Sequence, residues 1–215
     1  MTRTPTLILD GIWAKRGRFD RLRQLLEFQS GPTEVFNYNT TGFIAFETLA
    51  AQLCKHLHNY NKPVNVLGFS MGGIVIRTAH LLDPSIPIRR AVFLNTPHAG
   101  SIMSYIFPLP GTRQLQPTSH LMKQLAADDW PIPTLATWSP FDPIVVPGRS
   151  AKWPKATQHI RCAPCLHNWP IWSPKIHHKI ANFLAQPALA SHPNVTEWPS
   201  TPQLSLSTQN SALRT

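Results

Sequence analysis

Gly68-Phe69-Ser70-Met71-Gly72 lies between the apolar run Val64-Asn65-Val66-Leu67 and the helical stretch Ile74-Val75-Ile76-Arg77-Thr78-Ala79. It is a G-x-S-x-G sequence with a strand signal before it and a helix signal after it. A serine on a tight strand-to-helix turn holds its Oγ clear of the sheet, and residues without Cβ two places before and after it let the turn close against neighbouring backbone. The amino terminus of the following helix then lies beneath negative charge developing on a substrate. The plainer alternative is a glycine-rich turn in which Ser70 only caps a helix. The order of strand, turn and helix favours a nucleophile.

Elements that could position such a serine alternate along the chain. Short β-rich runs occupy Thr6–Leu9, Glu34–Tyr38, Val64–Phe69, Ala91–Asn95, Thr134–Trp138 and Thr157–Cys162. Helical patterns fit Phe19–Phe28, Phe43–Tyr60, Met71–Leu82, Thr118–Ala127 and Pro174–Ala185. Alternation of this kind predicts an α/β fold: a mostly parallel sheet of about six strands with helices on both faces. Ligands of such sheets bind at the carboxyl ends of the strands, so residues just after each run are the ones to inspect.

Four segments carry a family resemblance: Leu7-Ile8-Leu9-Asp10-Gly11-Ile12, Gly68-Phe69-Ser70-Met71-Gly72, Asn95-Thr96-Pro97-His98-Ala99-Gly100-Ser101 and Ser139-Pro140-Phe141-Asp142-Pro143-Ile144-Val145. With His167 they span residues 7 to about 185. In this order they resemble the α/β-hydrolase fold, and within it the small bacterial lipases and esterases. The resemblance implies a carboxylic ester hydrolase acting through an acyl-enzyme without a cofactor, on small-molecule or lipid-like esters. A thioesterase or acyltransferase on the same residues, and a non-catalytic binding protein that keeps the fold, are the alternatives. The scaffold leaves no room for a large lid domain.

A serine alcohol needs a neighbouring base to take its proton, and the base needs a third group to fix its tautomer. The family order is Ser, then Asp or Glu, then His. Asp142 follows the apolar run Leu135-Ala136-Thr137-Trp138 and lies 72 residues beyond Ser70. Asp128 and Asp129 compete, but they fall at a helix end before Trp130-Pro131. Among ten histidines, His167 has the right place, after the last predicted strand and before the final helix, where the family's base resides. His159 alternates within that strand, His177 and His178 fall inside the helix, and His98 is a pocket-lining or loop-packing group. The oxyanion donors implied are the N–H groups of Met71 and Ile12, with Trp13 replacing Ile12 if the loop is shifted by one. The family's histidine before that glycine is Asp10 here. A carboxylate there repels an oxyanion unless it turns away or pairs with Arg16 or Arg18.

The apolar segment Ile102–Gly111 either lines an acyl pocket or fills the core. Cys162-Ala163-Pro164-Cys165 is half a zinc site without its second pair of ligands, and it follows a late strand instead of opening a helix as thioredoxin-like pairs do. A local disulfide is the remaining use. No phosphate loop or G-x-G-x-x-G is present, so no nucleotide cofactor is expected.

With 215 residues and roughly 150 per domain, one hydrolase domain over 1–186 with a polar Pro/Ser/Thr tail over 187–215 fits better than two domains. At 42% hydrophobic and 14% charged residues the chain is not of disordered composition. Twenty Lys+Arg against ten Asp+Glu give a net charge of +10, which suits nucleic acid, an anionic membrane surface or acidic substrates, and charge alone does not choose among them. Neither zinc-finger spacing nor an aromatic-interleaved motif supports specific nucleic-acid binding. Three cysteines, no signal peptide before Thr6 and no long apolar window lead to the expectation of a cytoplasmic protein without a spanning helix.

Overall fold

Successive residues of the central strands face opposite sides, and both sides are apolar. On β1 (Thr6–Leu9), Leu7 and Leu9 join one core cluster while Ile8 joins the other. On β3 (Val64–Phe69), Val66 and Leu67 divide in the same way, as do Phe93 and Val92 on β4 (Ile88–Leu94). A strand apolar on both faces must be covered twice, which is what a parallel sheet with helical crossovers provides. In the computed structural model, which describes residues 3–163 and 166–187, these strands combine with β2 (Thr33–Val35), β5 (Thr134–Trp138) and β6 (Gln158–Arg161) into one sheet. Its order is β2-β1-β3-β4-β5-β6 and every neighbouring pair is parallel.

Helices α2 (Phe46–Leu57), α3 (Met71–Leu82) and α4 (His120–Ala127) supply Leu49, Leu53, Ile74, Val75 and Leu121 to the first cluster. Helices α1 (Asp20–Gln29) and α6 (Pro174–Ala185) cover the other face with Leu22, Leu26, Ile180 and Phe183. The chain moves outward from β1 to β2 and then returns to place β3 on the other side of β1. The crevice beyond the ends of β1 and β3 is therefore the topological switch point, where such sheets bind ligands.

Several boundaries differ from the sequence reading. β2 ends at Val35: Phe36 N still donates to Ile8 O at 2.8 Å, after which the chain leaves the sheet and the Phe36 and Tyr38 rings stack. The helix expected over Phe43–Tyr60 begins only at Phe46, because Gly42 has φ +83° and Ala45 is extended. Its start is marked by Phe46 N donating to Gln114 Oε1 at 2.7 Å, a cap supplied from far along the chain. A short helix, α5 (Trp169–Trp172), precedes α6 and was not expected. Of the tail read as 187–215, only Pro187 is among the described residues. No helix among the described residues is long and apolar enough to cross a membrane.

Candidate active site

The turn between β3 and α3 places Ser70 at φ 52°, ψ −118°, a conformation costing a non-glycine residue about 1–3 kcal/mol. The surroundings hold it there. Ser70 N donates to Leu94 O at 2.8 Å and Gly73 N donates to Ser70 O at 3.2 Å. A Cβ on Gly72 would strike the carbonyl oxygens of Leu9 and Asp10, and one on Gly68 would meet the backbone of Gly73. Both flanking glycines are thus demanded by close backbone approach.

Asp142 sits on the loop after β5 and is buried. Its Oδ1 accepts from the N–H groups of Ile144 and Val145 at 2.8 and 2.9 Å, and its Oδ2 lies 2.8 Å from His167 Nδ1. A carboxylate can only accept, so this contact assigns a proton to Nδ1, and in the neutral imidazole Nε2 is then the acceptor. The imidazole also lies on the Phe69 ring, 4.9 Å between centroids, beside the residue that precedes Ser70. Asp142 and His167 are thus brought together on the flank of the serine turn. No hydrogen bond joins Ser70 Oγ to His167 among the described residues; such contacts often tighten only when substrate is present.

Asn95, the first residue of the Asn95–Ser101 segment, holds the loop that bears His167. Its Nδ2 donates to His167 O at 2.8 Å, and its Oδ1 accepts from Thr137 Oγ1 at 3.1 Å. The sequence carried one sign of this, an asparagine ending a strand, the type that tolerates the φ of 45° observed here.

The loop after β1 lies against the serine. A Cβ on Gly11 would be 3.0 Å from Ser70 Cβ. Trp13 N already donates to Thr40 O at 2.9 Å, which occupies the donor that would serve if the loop were shifted by one. The N–H groups of Ile12 and Met71, the latter at the first position of α3, have no backbone acceptor among the described residues. Of the two cations considered for Asp10, Arg18 is the partner: its Nη1 is 2.6 Å from Asp10 Oδ1, and its Nη2 donates to Trp13 O at 3.0 Å. Gly11 N donates to the same carboxylate oxygen at 2.7 Å. Burial raises the Asp10 carboxyl above the usual carboxylate range, opposed by the Arg18 charge.

The competing groups lie elsewhere. Asp128 pairs with His80 at 3.3 Å, and Asp129 is exposed. His98 is a packing group, stacked on Trp153 at 4.6 Å, with Arg77 donating to its Nδ1. His159 and His177 contact the carbonyl oxygens of Trp153 and Ile171, and His178 is exposed. In the segment after β4, Leu109 fills space against Gly42 beside Ile12 while Ile106 and Phe107 stand exposed, so the segment does not simply fill the core. No three metal-ligating side chains converge among the described residues. Cys162 is buried, which pushes its thiol up to about 11; a disulfide with Cys165 involves a residue outside the described ones.

No protein-family model and no curated protein matches the chain. Solved structures do. Lipase B of Aspergillus fumigatus superposes with a TM-score of 0.74 at 15% identity over 86% of this chain and 53% of its own, so this chain spans about half its length. Lipase BlEst2 of Bacillus licheniformis gives 0.68 at 15% identity, covering 85% and 92%. MGS-MChE2, an alpha/beta hydrolase from a marine-lagoon sediment metagenome, gives 0.60 at 18% identity, covering 84% and 90%. Six parallel strands in this order, a serine on the turn after β3 and these superpositions give the chain the α/β-hydrolase fold.

Proposed function

We propose that this protein is a serine hydrolase that cleaves carboxylic esters through an acyl-enzyme, with Ser70 as nucleophile, His167 as base and Asp142 as its orienting carboxylate. The observation that carries this reading is the 2.8 Å contact of His167 Nδ1 with a buried Asp142, formed beside a serine held at positive φ. In the reaction His167 Nε2 takes the Oγ proton as Ser70 attacks the ester carbonyl, giving a tetrahedral oxyanion. The Ile12 and Met71 N–H groups receive that charge, each donor worth roughly 3 kcal/mol in transition-state stabilisation. Collapse expels the alkoxide, which leaves as the alcohol after taking the proton from His167. Water then repeats the sequence on the acyl-enzyme, releasing the acid and freeing Ser70. Asp142 stays ionised throughout and balances the imidazolium.

Asp10 in the oxyanion loop does not oppose this reading, because Arg18 neutralises it and Gly11 N binds the same oxygen. Lipases among the superposing structures, and exposed Ile106 and Phe107 beside the crevice, favour esters with an apolar acyl group. The test is hydrolysis of p-nitrophenyl esters from acetate to palmitate, alongside fluorophosphonate labelling, for the wild type, Ser70→Ala and His167→Ala. Turnover and labelling lost in Ser70→Ala are expected. Turnover that survives Ser70→Ala, or a wild type that neither labels nor turns over, overturns the proposal.

A further inference from the structure

Because every strand is parallel, the loops that follow them all leave from one end of the sheet, the end that carries Ser70. Among the described residues, those loops hold most of the exposed large apolar side chains, with Trp13 after β1, Phe43 after β2, Ile106 and Phe107 after β4, Phe141 after β5 and Leu166 after β6. Trp13 is 63% and Phe141 76% exposed. Apolar side chains this exposed and this concentrated at one end mark an interaction surface, where scattered single ones would not.

Charge narrows the partner. The same loops carry exposed Lys15, Arg16, Arg113, Arg149 and Lys152. Their sequences contain two acids, Asp10 and Asp142; both are buried and engaged, with Arg18 and with His167. Among the described residues, the exposed carboxylates that follow these loops in sequence, Asp20 and Glu47, lie in the first turns of α1 and α2; Asp20 Oδ2 sits against Gly17, and Glu47 accepts from Gln114 Nε2. An apolar collar interspersed with cations, and with its carboxylates withdrawn, suits a surface that is apolar within and anionic at its boundary.

We infer that the Ser70 end of the molecule docks on anionic lipid bilayers, with Trp13, Ile106, Phe107 and Phe141 entering the headgroup region and Lys15 and Arg16 meeting lipid phosphates. Each such cation near an anionic leaflet contributes about 1 kcal/mol, a fold-change of about five. The crevice then opens onto the membrane, so the substrate class is the ester of a bilayer lipid. This last step rests on the ester-hydrolase reading; the docking does not.

The experiment is flotation of the full chain carrying Ser70→Ala with phosphatidylcholine vesicles, with and without phosphatidylglycerol, and separately with duplex DNA. Binding to the anionic vesicles is expected, with little on phosphatidylcholine alone. Lys15→Glu with Arg16→Glu should weaken it at least about tenfold, and Ile106→Ser with Phe107→Ser should weaken it as well. Far-UV circular dichroism and a thermal melt matching those of the Ser70→Ala parent show that both double variants fold. Equal binding to both vesicle types, indifference to either double variant, or no vesicle binding overturns the inference. So does DNA binding that depends on Lys15 and Arg16 alone while vesicles are ignored. Fluorophosphonate labelling of the wild type without vesicle binding sinks the docking surface and leaves the hydrolase; vesicle binding without labelling does the reverse.

Discussion

Asn95 Nδ2 stands 2.8 Å from the carbonyl oxygen of His167, while the other end of the same amide accepts from Thr137 at 3.1 Å. The loop bearing His167 has left the sheet after β6, and this side chain, rooted at the end of β4, ties it back to the sheet. Asn95→Ala leaves His167 O without its donor and the Thr137 hydroxyl proton without its acceptor, and puts alanine at φ 45°. The unpaired groups and the strain together should cost about 2–3 kcal/mol of stability. Displacing the base should lower kcat about tenfold or more, with KM for a short soluble ester unchanged. Steady-state kinetics beside urea unfolding separate the two effects: reduced stability with full kcat would make Asn95 structural only.

The ion pair of Arg18 with Asp10 makes a second prediction. Replacing Arg18 by Met leaves a buried carboxylate without its cation and releases the Trp13 carbonyl, for a loss of about 3 kcal/mol and slower fluorophosphonate labelling as the Gly11–Trp13 loop loosens. The pH dependence has a definite sign. The folded carboxyl of Asp10 is raised above its ordinary 3.8, with burial the leading cause. Between the unfolded and folded values the native state keeps a proton that the unfolded chain has lost. Asp10 therefore makes stability fall as pH rises through that window, by up to about 1.36 kcal/mol per pH unit. Asp10→Asn should remove this component from unfolding curves measured from pH 4 upward. An unchanged slope would show that Asp10 is not its source.

Ser70, Asp142 and His167 could be proposed from the sequence because each follows an apolar run that announces a strand and because they stand in the chain order of the family that the sequence resembles. Contacts between distant segments were not legible. Asn95 matters through a residue 72 positions away, and the start of α2 through Gln114, 68 positions beyond Phe46. Arg18 was one of two cations near Asp10 in sequence, and only the turn of the β1 loop chose between them. Arg77 read as an ordinary helix residue, yet it is fully buried, because Leu125, His98 and Trp153 reach it from three separate segments.

The serine turn predicts opposite effects for removing one glycine and introducing another. Gly72→Ala drives a methyl into the carbonyl oxygens of Leu9 and Asp10, and the only relief is movement of β1 and its loop away from α3. Several kcal/mol should be lost by the overpacking mechanism, at the top of the roughly 1–3 kcal/mol range, with labelling of Ser70 lost alongside. Ser70→Gly, in contrast, relieves the strain of φ 52°. It should be about 1 kcal/mol more stable than Ser70→Ala, although both are inactive. Thermal melts of the three variants test the pair. A Ser70→Gly protein less stable than Ser70→Ala would mean that the turn stores no strain.

Acid should destabilise the protein through a group on the opposite side of the sheet from α1 and α6. His98 is stacked on Trp153, edge-on to Phe93, and receives the Arg77 guanidinium on Nδ1. Burial, followed by the charges of Arg77 and His159, holds it well below the ordinary 6.5, so it stays neutral in the folded state. His177 on α6 shifts in the same direction, chiefly through burial. Below pH 6.5 the unfolded chain takes up protons that the native state refuses, so the stability present above that value is lost as pH falls. Each group contributes up to about 1.36 kcal/mol per pH unit. His98→Phe keeps an aromatic ring between Trp153 and Phe93 but cannot titrate. It should reduce the proton uptake on unfolding at pH 5 by about one, and it should lose less stability than the wild type between pH 8 and pH 5. Arg77→Met leaves the carbonyl oxygens of Leu125 and His98 without this donor and should cost about 2–3 kcal/mol at pH 8. It should cost less at pH 5, because the cation that opposes protonation of His98 is gone. Urea unfolding of both variants across this range decides the matter: if the Arg77→Met penalty grows toward acid, the guanidinium is not what keeps His98 neutral.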